Sequence, residues 1–405
     1  MADGKSGGRK LEGTAYGRKP QHYNKLLAEV GPGTPMGELQ RRYWQPLLAS
    51  KDVTNRPREI RILGEDLIVF RDKSGRPGLL YPRCMHRGTT LFYGRVEERG
   101  IRCCYHGWLF DVEGNCLEQP CEPDGGKNKE AARQPWYPVR EQCGMVWTYM
   151  GPPEKMPTLP KFDNMELEEG QVYLAGAFGV DGSRGPDPVM PYSWLHMNDN
   201  VMDPFHVQQL HSTISNVQFV EEFAVMPQVD FRYIPNGVIY DAYRELPDGR
   251  KVNRISTWML PHVMAVPSVV LAAGRANGLG FTVPVDDTHS RNLMIFKGRP
   301  GATMFQADAG DKSNRKPGMA TMKMPVDMTI EERQDNPNDY EAQVGQGPIS
   351  LHSEEHLATS DRGIAMQRRM LEQQIKVVQE GGDPLGVAFT EKDAVIHVPS
   401  GNFFS

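Results

Sequence analysis

Four of the chain's 405 residues constrain it most: Cys84 and His86 form C-x-H, and after a sixteen-residue gap Cys103 and His106 form C-x-x-H. Each half offers one sulfur and one nitrogen from a tight turn, and the gap leaves room for the chain to return through a hairpin. Gly88 and Gly107 follow the two halves, where a residue free of Cβ lets the backbone come close to a bound group. Zinc is the commoner outcome for Cys2His2 sets, but classical fingers pair cysteine with cysteine and histidine with histidine. Here each pair is mixed. Two thiolates on one ferric ion and two imidazoles on the other are instead the ligands of a Rieske [2Fe–2S] cluster, whose potential lies well above that of an all-cysteine cluster. A chain so equipped moves electrons.

On these residues the sequence resembles the Rieske non-haem iron oxygenases, in their oxygenase (alpha) component. Respiratory Rieske proteins carry a further cysteine in each half, joined as a disulfide. The matching positions here are Thr89 and Tyr105, so that disulfide is absent, and Cys104 reads as a bystander.

A second metal site is expected downstream, in Asn200-Val-Met-Asp203-Pro-Phe-His206-Val-Gln-Gln-Leu-His211. At about 100° per residue, Asp203 and His206 share a helix face, whereas His206 and His211 diverge by roughly 140°. The helix must distort or end between them. The segment resembles the family's D-x-x-H-x4-H motif, which makes His206 and His211 two arms of a 2-His-1-carboxylate iron triad. The resemblance gives Asp203 a different role, linking a cluster histidine of one subunit to an iron histidine of its neighbour; a helix-capping carboxylate is the plain alternative. Asn200 resembles a family asparagine near the iron.

In the family the third ligand lies far downstream, near the start of a late helix. Asp361 in Thr359-Ser360-Asp361-Arg362-Gly363 is the favoured candidate, although an aspartate in that setting is also an N-cap. Asp339 competes with it, and Asp335 and Glu341 follow.

The reading is an α+β fold. A tail over residues 1–34 precedes a small antiparallel β domain over 35–153, with the cluster on two loops, and a catalytic domain of antiparallel sheet flanked by helices over 154–405. A short leading helix is expected over about 35–46, with strands at Glu59–Leu63, Asp66–Arg71, Gly78–Tyr81, Trp108–Val112 and Gly144–Tyr149. Further strands are expected within Val217–Arg244 and Val252–Pro267 around a Leu246–Gly249 hairpin, then a charged helix over about Ser360–Glu380. Residues 301–330, rich in Met, Gly and Lys without periodicity, are expected to form a mobile loop or lid.

A net charge of −5 argues against bulk nucleic-acid binding, and no apolar run nears the length of a membrane span. The first residues lack a signal peptide's hydrophobic stretch, so the cytoplasm is the expected compartment, with Cys104, Cys116, Cys121 and Cys143 as reduced thiols.

Gly31–Met36, Leu91–Gly94 and Glu355–Gly363 resemble the phthalate 4,5-dioxygenase group within the family, over residues 24 to 400. The resemblance implies a mononuclear Fe(II) beside the cluster, dioxygen as co-substrate, and hydroxylation or dihydroxylation of an aromatic carboxylate of phthalate or benzoate type. Oxidative O-demethylation of a methoxylated lignin-derived acid is the alternative. It further implies electrons from a separate flavin and iron–sulfur reductase, and a homotrimer or stacked trimers. Arg232, Arg244 and Arg254 are the candidate cations for the substrate carboxylate, against a plain reading as solvent-facing strand residues. An electron carrier with a degenerate second site, or a zinc protein, is the alternative of another class, and iron content per chain separates them.

Overall fold

The computed structural model describes residues 15, 17–127, 129–183, 185–215, 217–304 and 323–405. Most of the expected lid over 301–330 therefore lies outside the described residues.

The N-terminal half is built from short antiparallel strands. Arg58–Ile62, Glu65–Arg71 and Pro77–Leu80 form one sheet, and Arg95–Glu97, Gly100–Arg102, Leu109–Phe110 and Cys116–Glu118 form another. The hairpin between the two cluster half-motifs is present as Arg95–Glu97 against Gly100–Arg102. A third sheet joins Trp44–Ala49 to Met145–Tyr149 and Val139–Gln142.

The leading helix is shorter than expected. It spans Pro35–Gln40 and is capped by Thr34, whose side chain accepts from the Gly37 N–H. Its end is set by Gln45, whose amide donates to the Gln40 carbonyl at 2.7 Å, and by the fully buried strand that starts at Trp44 and pairs with Tyr149. Leu27, Ala28 and Val30 fall within the expected tail, yet they are buried: a turn of helix spans Lys25–Ala28, and Leu27 and Val30 join the main core.

The C-terminal half is organised on a nine-stranded antiparallel sheet. Its path runs Val172–Ala177, His289–Gly298, Gly278–Asp286, Val263–Ala265, Lys251–Met259, Gly237–Glu245 and Gln228–Ile234, with Gly401–Phe404 and Gly274–Arg275 attached at its side. The Leu246–Gly249 turn closes the hairpin of Gly237–Glu245 with Lys251–Met259, Leu246 N–H donating to Arg250 O at 2.8 Å. The segment before Gln228 is not strand: Glu221–Ala224 forms a single 3-10 turn. The helix Arg362–Gln379 buries Met370, Leu371 and Ile375 at i, i+1 and i+5.

One hydrophobic core runs from Trp44 and Trp147 through Phe281 and Trp258 to Trp194 and Leu371. The cluster loops rest on a separate small core in which Cys84 and Cys103 pack with Ile68, Phe70, Leu91, Ile101 and Phe110.

Candidate metal centres

The two loops of the first motif have the same backbone geometry. Cys84 N–H donates to Thr89 O (2.8 Å) and Gly88 N–H to Cys84 O (2.8 Å); Cys103 N–H donates to Trp108 O (2.9 Å) and Gly107 N–H to Cys103 O (3.1 Å). Each loop thus turns back within five residues, with a glycine four after the cysteine at φ +75° or +72°. At Gly107 a Cβ would stand 2.7 Å from Pro120 Cγ, so the loop has no space for one. The turns aim their ligands at one spot. The two thiols face each other, and the His86 and His106 rings lie 4.6 Å apart at 71°. Burial pushes the Cys84 thiol up to about 11, which disfavours a bare thiolate and suits a sulfur whose charge is met by a metal.

Residues outside the motif hold these loops. Gln134 is fully buried; its amide donates to Tyr81 O (2.8 Å) and Arg83 O (2.9 Å), and its oxygen accepts from Met85 N–H (2.8 Å). Arg102 donates to Gly107 O at 2.7 Å while paired with Glu97 and Glu118. The Trp108 ring stacks on His86 at 4.4 Å, 2° from parallel. Nothing local in the sequence marks Gln134, since its partners lie some fifty residues away.

The second site forms where the helix Trp194–Val201 ends and a new one starts. Asp203 caps that start, its carboxylate accepting from Phe205 N–H (2.9 Å) and His206 N–H (3.3 Å). The chain then makes one α turn at His206–Gln208 and widens into a π-helical turn over Gln209–Ile214. Hydrogen bonds of the i to i+5 kind bring residues five apart onto one face. That is the distortion required between His206 and His211, whose rings meet at 5.4 Å.

The carboxylate that joins them is Asp339, the first residue of the short helix Asp339–Val344. Its Oδ1 lies 3.6 Å from His206 Nε2 and 3.3 Å from His211 Nε2, and one donor atom from each of the three falls within 4.8 Å of the others. Asp361 is not at this site. Its carboxylate accepts from the Ala358 N–H at 2.7 Å, closing the turn that opens the helix Arg362–Gln379. The Ser-Thr-flanked helix start made Asp361 conspicuous, but its carboxylate is used within the 3-10 turn Thr359–Asp361. Neither Asp335 nor Glu341 joins the cluster of donors; Glu341 pairs with Arg333 and completes the Asn338 capping box.

The surrounding polar groups orient the triad. Asn200 donates to Asp339 Oδ1 at 2.9 Å and lies 3.4 Å from His206 Nε2. His206 Nδ1 is held by the Asp203 carbonyl and the buried His211 Nδ1 by Gln218 Oε1 at 2.6 Å, which leaves both Nε2 atoms for a metal. Gln218 is itself anchored by the Pro337 carbonyl at 2.9 Å, two residues before Asp339. Burial would raise the Asp339 carboxyl, but the facing His211 and His206 imidazoles and the Asn200 amide hold it far below the usual range.

The three arginines separate. Arg232 is half-exposed and paired with Asp241 across the strands, so it lies on the surface. Arg244 and Arg254 are buried, and both guanidinium groups stand 5.3 Å from the centre of the Phe223 ring.

Comparison with known proteins decides the family. Residues 43–138 match the model of the Rieske [2Fe-2S] domain. Over 397 residues the chain is 53% identical to the phenoxybenzoate dioxygenase subunit alpha of Ectopseudomonas oleovorans, covering 97% of this chain and 94% of that one. The chain belongs to the Rieske non-haem iron aromatic oxygenases. It is also 40% identical over 372 residues to the tert-butanol monooxygenase / tert-amyl alcohol desaturase oxygenase subunit of Aquincola tertiaricarbonis, covering 86% and 75% of the two chains. Dicamba monooxygenase shares the fold at 16% identity, with a TM-score of 0.57 over 84% of this chain and 98% of that one.

As a Rieske oxygenase alpha subunit, the chain holds its [2Fe–2S] cluster on the two loops and a mononuclear iron on His206, His211 and Asp339. It is the oxygenase component of a system whose electrons come from a separate redox protein. No helix among the described residues is long and apolar enough to cross a membrane.

Proposed function

We propose that this oxygenase hydroxylates or dihydroxylates an aromatic carboxylate of the phenoxybenzoate type, and that Arg244 is the cation that receives the carboxylate. The observation that carries this reading is the burial of Arg244 without a counter-ion. Its Nε donates to Val225 O at 2.9 Å, Nη1 is buried with no hydrogen-bond partner, and among the described residues no carboxylate pairs with it. Burial, with the nearby Arg254 charge, pulls its pKa down to about 10. Such a site is costly when empty and strongly favourable to an anion that offers two oxygens.

The position of this group favours an extended aromatic acid. Phe219 lies 4.6 Å from the His211 ring, Phe223 follows at 6.3 Å, and the two guanidinium groups stand on Phe223. A run of ring contacts thus connects the iron histidine to the arginine pair, an apolar surrounding that suits an aromatic acid whose carboxylate lies far from the reacting carbon.

When bound, the iron supplies dioxygen activation and the cluster supplies electrons one at a time. The protein holds the ligand imidazoles in one tautomer, keeps Asp339 ionised and orients the substrate by its carboxylate. A flavin and iron–sulfur reductase as electron donor, assembly as a homotrimer or stacked trimers, and a cytoplasmic location belong to the same reading. So does Asp203 as a link to a neighbouring subunit's cluster, since part of its side chain stays exposed beyond the cap.

Arg244→Met tests it, with turnover of phenoxybenzoate and of its uncharged methyl ester measured side by side. Loss of a charge-assisted hydrogen bond of about 1.5–3 kcal/mol predicts a rise in KM of roughly 10- to 100-fold for the acid and little change for the ester. Equal losses on both compounds would refute the assignment. Formaldehyde released from a methoxylated acid would mark O-demethylation instead.

A further inference from the structure

The stretch Glu355–Gly363 contributes no metal ligand, yet its neighbourhood contains a buried ionic cluster directly behind the iron site. Arg368, on the helix Arg362–Gln379, donates from Nε and Nη2 to the two oxygens of Asp199 at 3.3 and 2.5 Å. It also reaches both oxygens of Glu355, Nη2 to Oε1 at 2.9 Å. One guanidinium is thus gripped from both sides, with the Arg368 side chain 13% exposed and Asp199 14%.

Asp199 is the residue before Asn200, the amide that touches Asp339 and lies beside His206. The same two helices also abut at Gly363, where a Cβ would come within 2.7 Å of the Met202 carbonyl. The helix Trp194–Val201 therefore has its C-terminal end pressed against one helix and its rotation held by Arg368. A second anchor is Asn198, whose oxygen accepts from Trp258 Nε1 at 2.7 Å.

A buried ion pair is weak evidence for stability, because desolvation cancels much of its attraction; its firmer use is to select one geometry. Rotation is the coordinate that matters here. A side-chain atom about 5–6 Å from a helix axis moves about 2 Å when the helix turns by about 20°. That displacement would break the bond from Asn200 to Asp339.

We propose that Arg368 is a positioning residue for the mononuclear iron site: by gripping Asp199 it fixes the rotation of the helix Trp194–Val201 and so aims the Asn200 amide at Asp339 and His206. This role is independent of the substrate, so it stands or falls apart from the Arg244 assignment.

The test uses the full-length protein loaded with cluster and iron, in four forms: Arg368→Gln, Arg368→Lys, Asn200→Ala, and the double variant Arg368→Gln/Asn200→Ala. Nitric oxide bound to the reduced mononuclear iron reports its coordination by EPR, and the Rieske EPR signal is the control. Arg368→Gln is expected to leave the Rieske signal unchanged and to shift the nitrosyl spectrum towards that of Asn200→Ala. It should lower kcat about tenfold or more with KM nearly constant. The double variant should be no worse than Asn200→Ala alone, since both act through one amide. Arg368→Lys keeps the charge but lacks the planar fork, so it should show the same spectral shift in weaker form. A wild-type nitrosyl spectrum in folded Arg368→Gln, or multiplicative losses in the double variant, would overturn the proposal. If Arg368→Gln does not fold, a wild-type nitrosyl spectrum in Arg368→Lys overturns it equally.

Discussion

Replacing Gln134 by methionine removes the hydrogen bonds that tie the first cluster loop to its support while keeping nearly the same side-chain volume. The three partners are the backbone groups of Tyr81, Arg83 and Met85, at 2.8, 2.9 and 2.8 Å, and the glutamine is fully buried. If each freed group regains water, the loss is about 1 kcal/mol per bond; if each stays dry, it approaches about 2 kcal/mol, giving about 3–6 kcal/mol in total. Little of this can be offset by the added sulfur, because no apolar cavity is filled. At about 2 °C per kcal/mol, the lower figure for medium-sized domains, even the smaller loss moves a transition by about 6 °C. The effect should be local, since Met85 lies between the ligands Cys84 and His86. Loss of the cluster's visible absorbance on heating is the assay, read beside the far-ultraviolet signal of the whole chain. Bleaching should precede global unfolding and come at least about 6 °C earlier than in the wild type. A cluster that bleaches at the wild-type temperature would show that the loop is held by its metal bonds alone, and the reasoning would fail.

Two further outcomes follow from the geometry. Asp339→Ala should leave the mononuclear site without iron and the Rieske EPR signal intact, whereas Asp361→Ala should keep all its iron and cost about 0.5–1.5 kcal/mol of stability through the lost hydrogen bond from the Ala358 N–H; iron loss in the second variant would reverse the assignment. Burial pushes His262 down to about 3 and His196 down to about 4. Both are therefore neutral when folded and protonate near 6.5 when unfolded, so their contribution is complete above about pH 6.5 and is lost as pH falls towards 4, at about 1.4 kcal/mol per pH unit for each histidine. Melting temperatures from pH 7 to 4.5 should fall less steeply in His262→Gln than in the wild type, and parallel curves would contradict this.

Much of the chemistry could be read from the chain because the ligating pairs are local. Cys84 with His86, Cys103 with His106, and His206 with His211 each lie within five residues of one another, so ligand identity, turn glycines and even the need for a distorted helix are encoded by spacing. The strands and the Leu246–Gly249 hairpin were legible for the same reason: alternation and turn residues are short-range signals. The helix expected to reach residue 46 stops at Gln40 because the strand from Trp44 finds its partner about a hundred residues later, at Tyr149.

The remaining assignments depend on contacts that spacing does not encode. Asp361 has the better local context, but that context describes the turn at a helix start; Asp339 is a ligand only because the chain returns to stand beside His206 and His211. Arg232, Arg244 and Arg254 look alike in sequence, and only the sheet and the loops covering it decide that the first meets solvent and the other two are buried. The chain thus specified which atoms can bind metal. The tertiary structure decided which carboxylate completes the iron site and which cations are withdrawn from water, because both depend on where distant segments exclude solvent and converge.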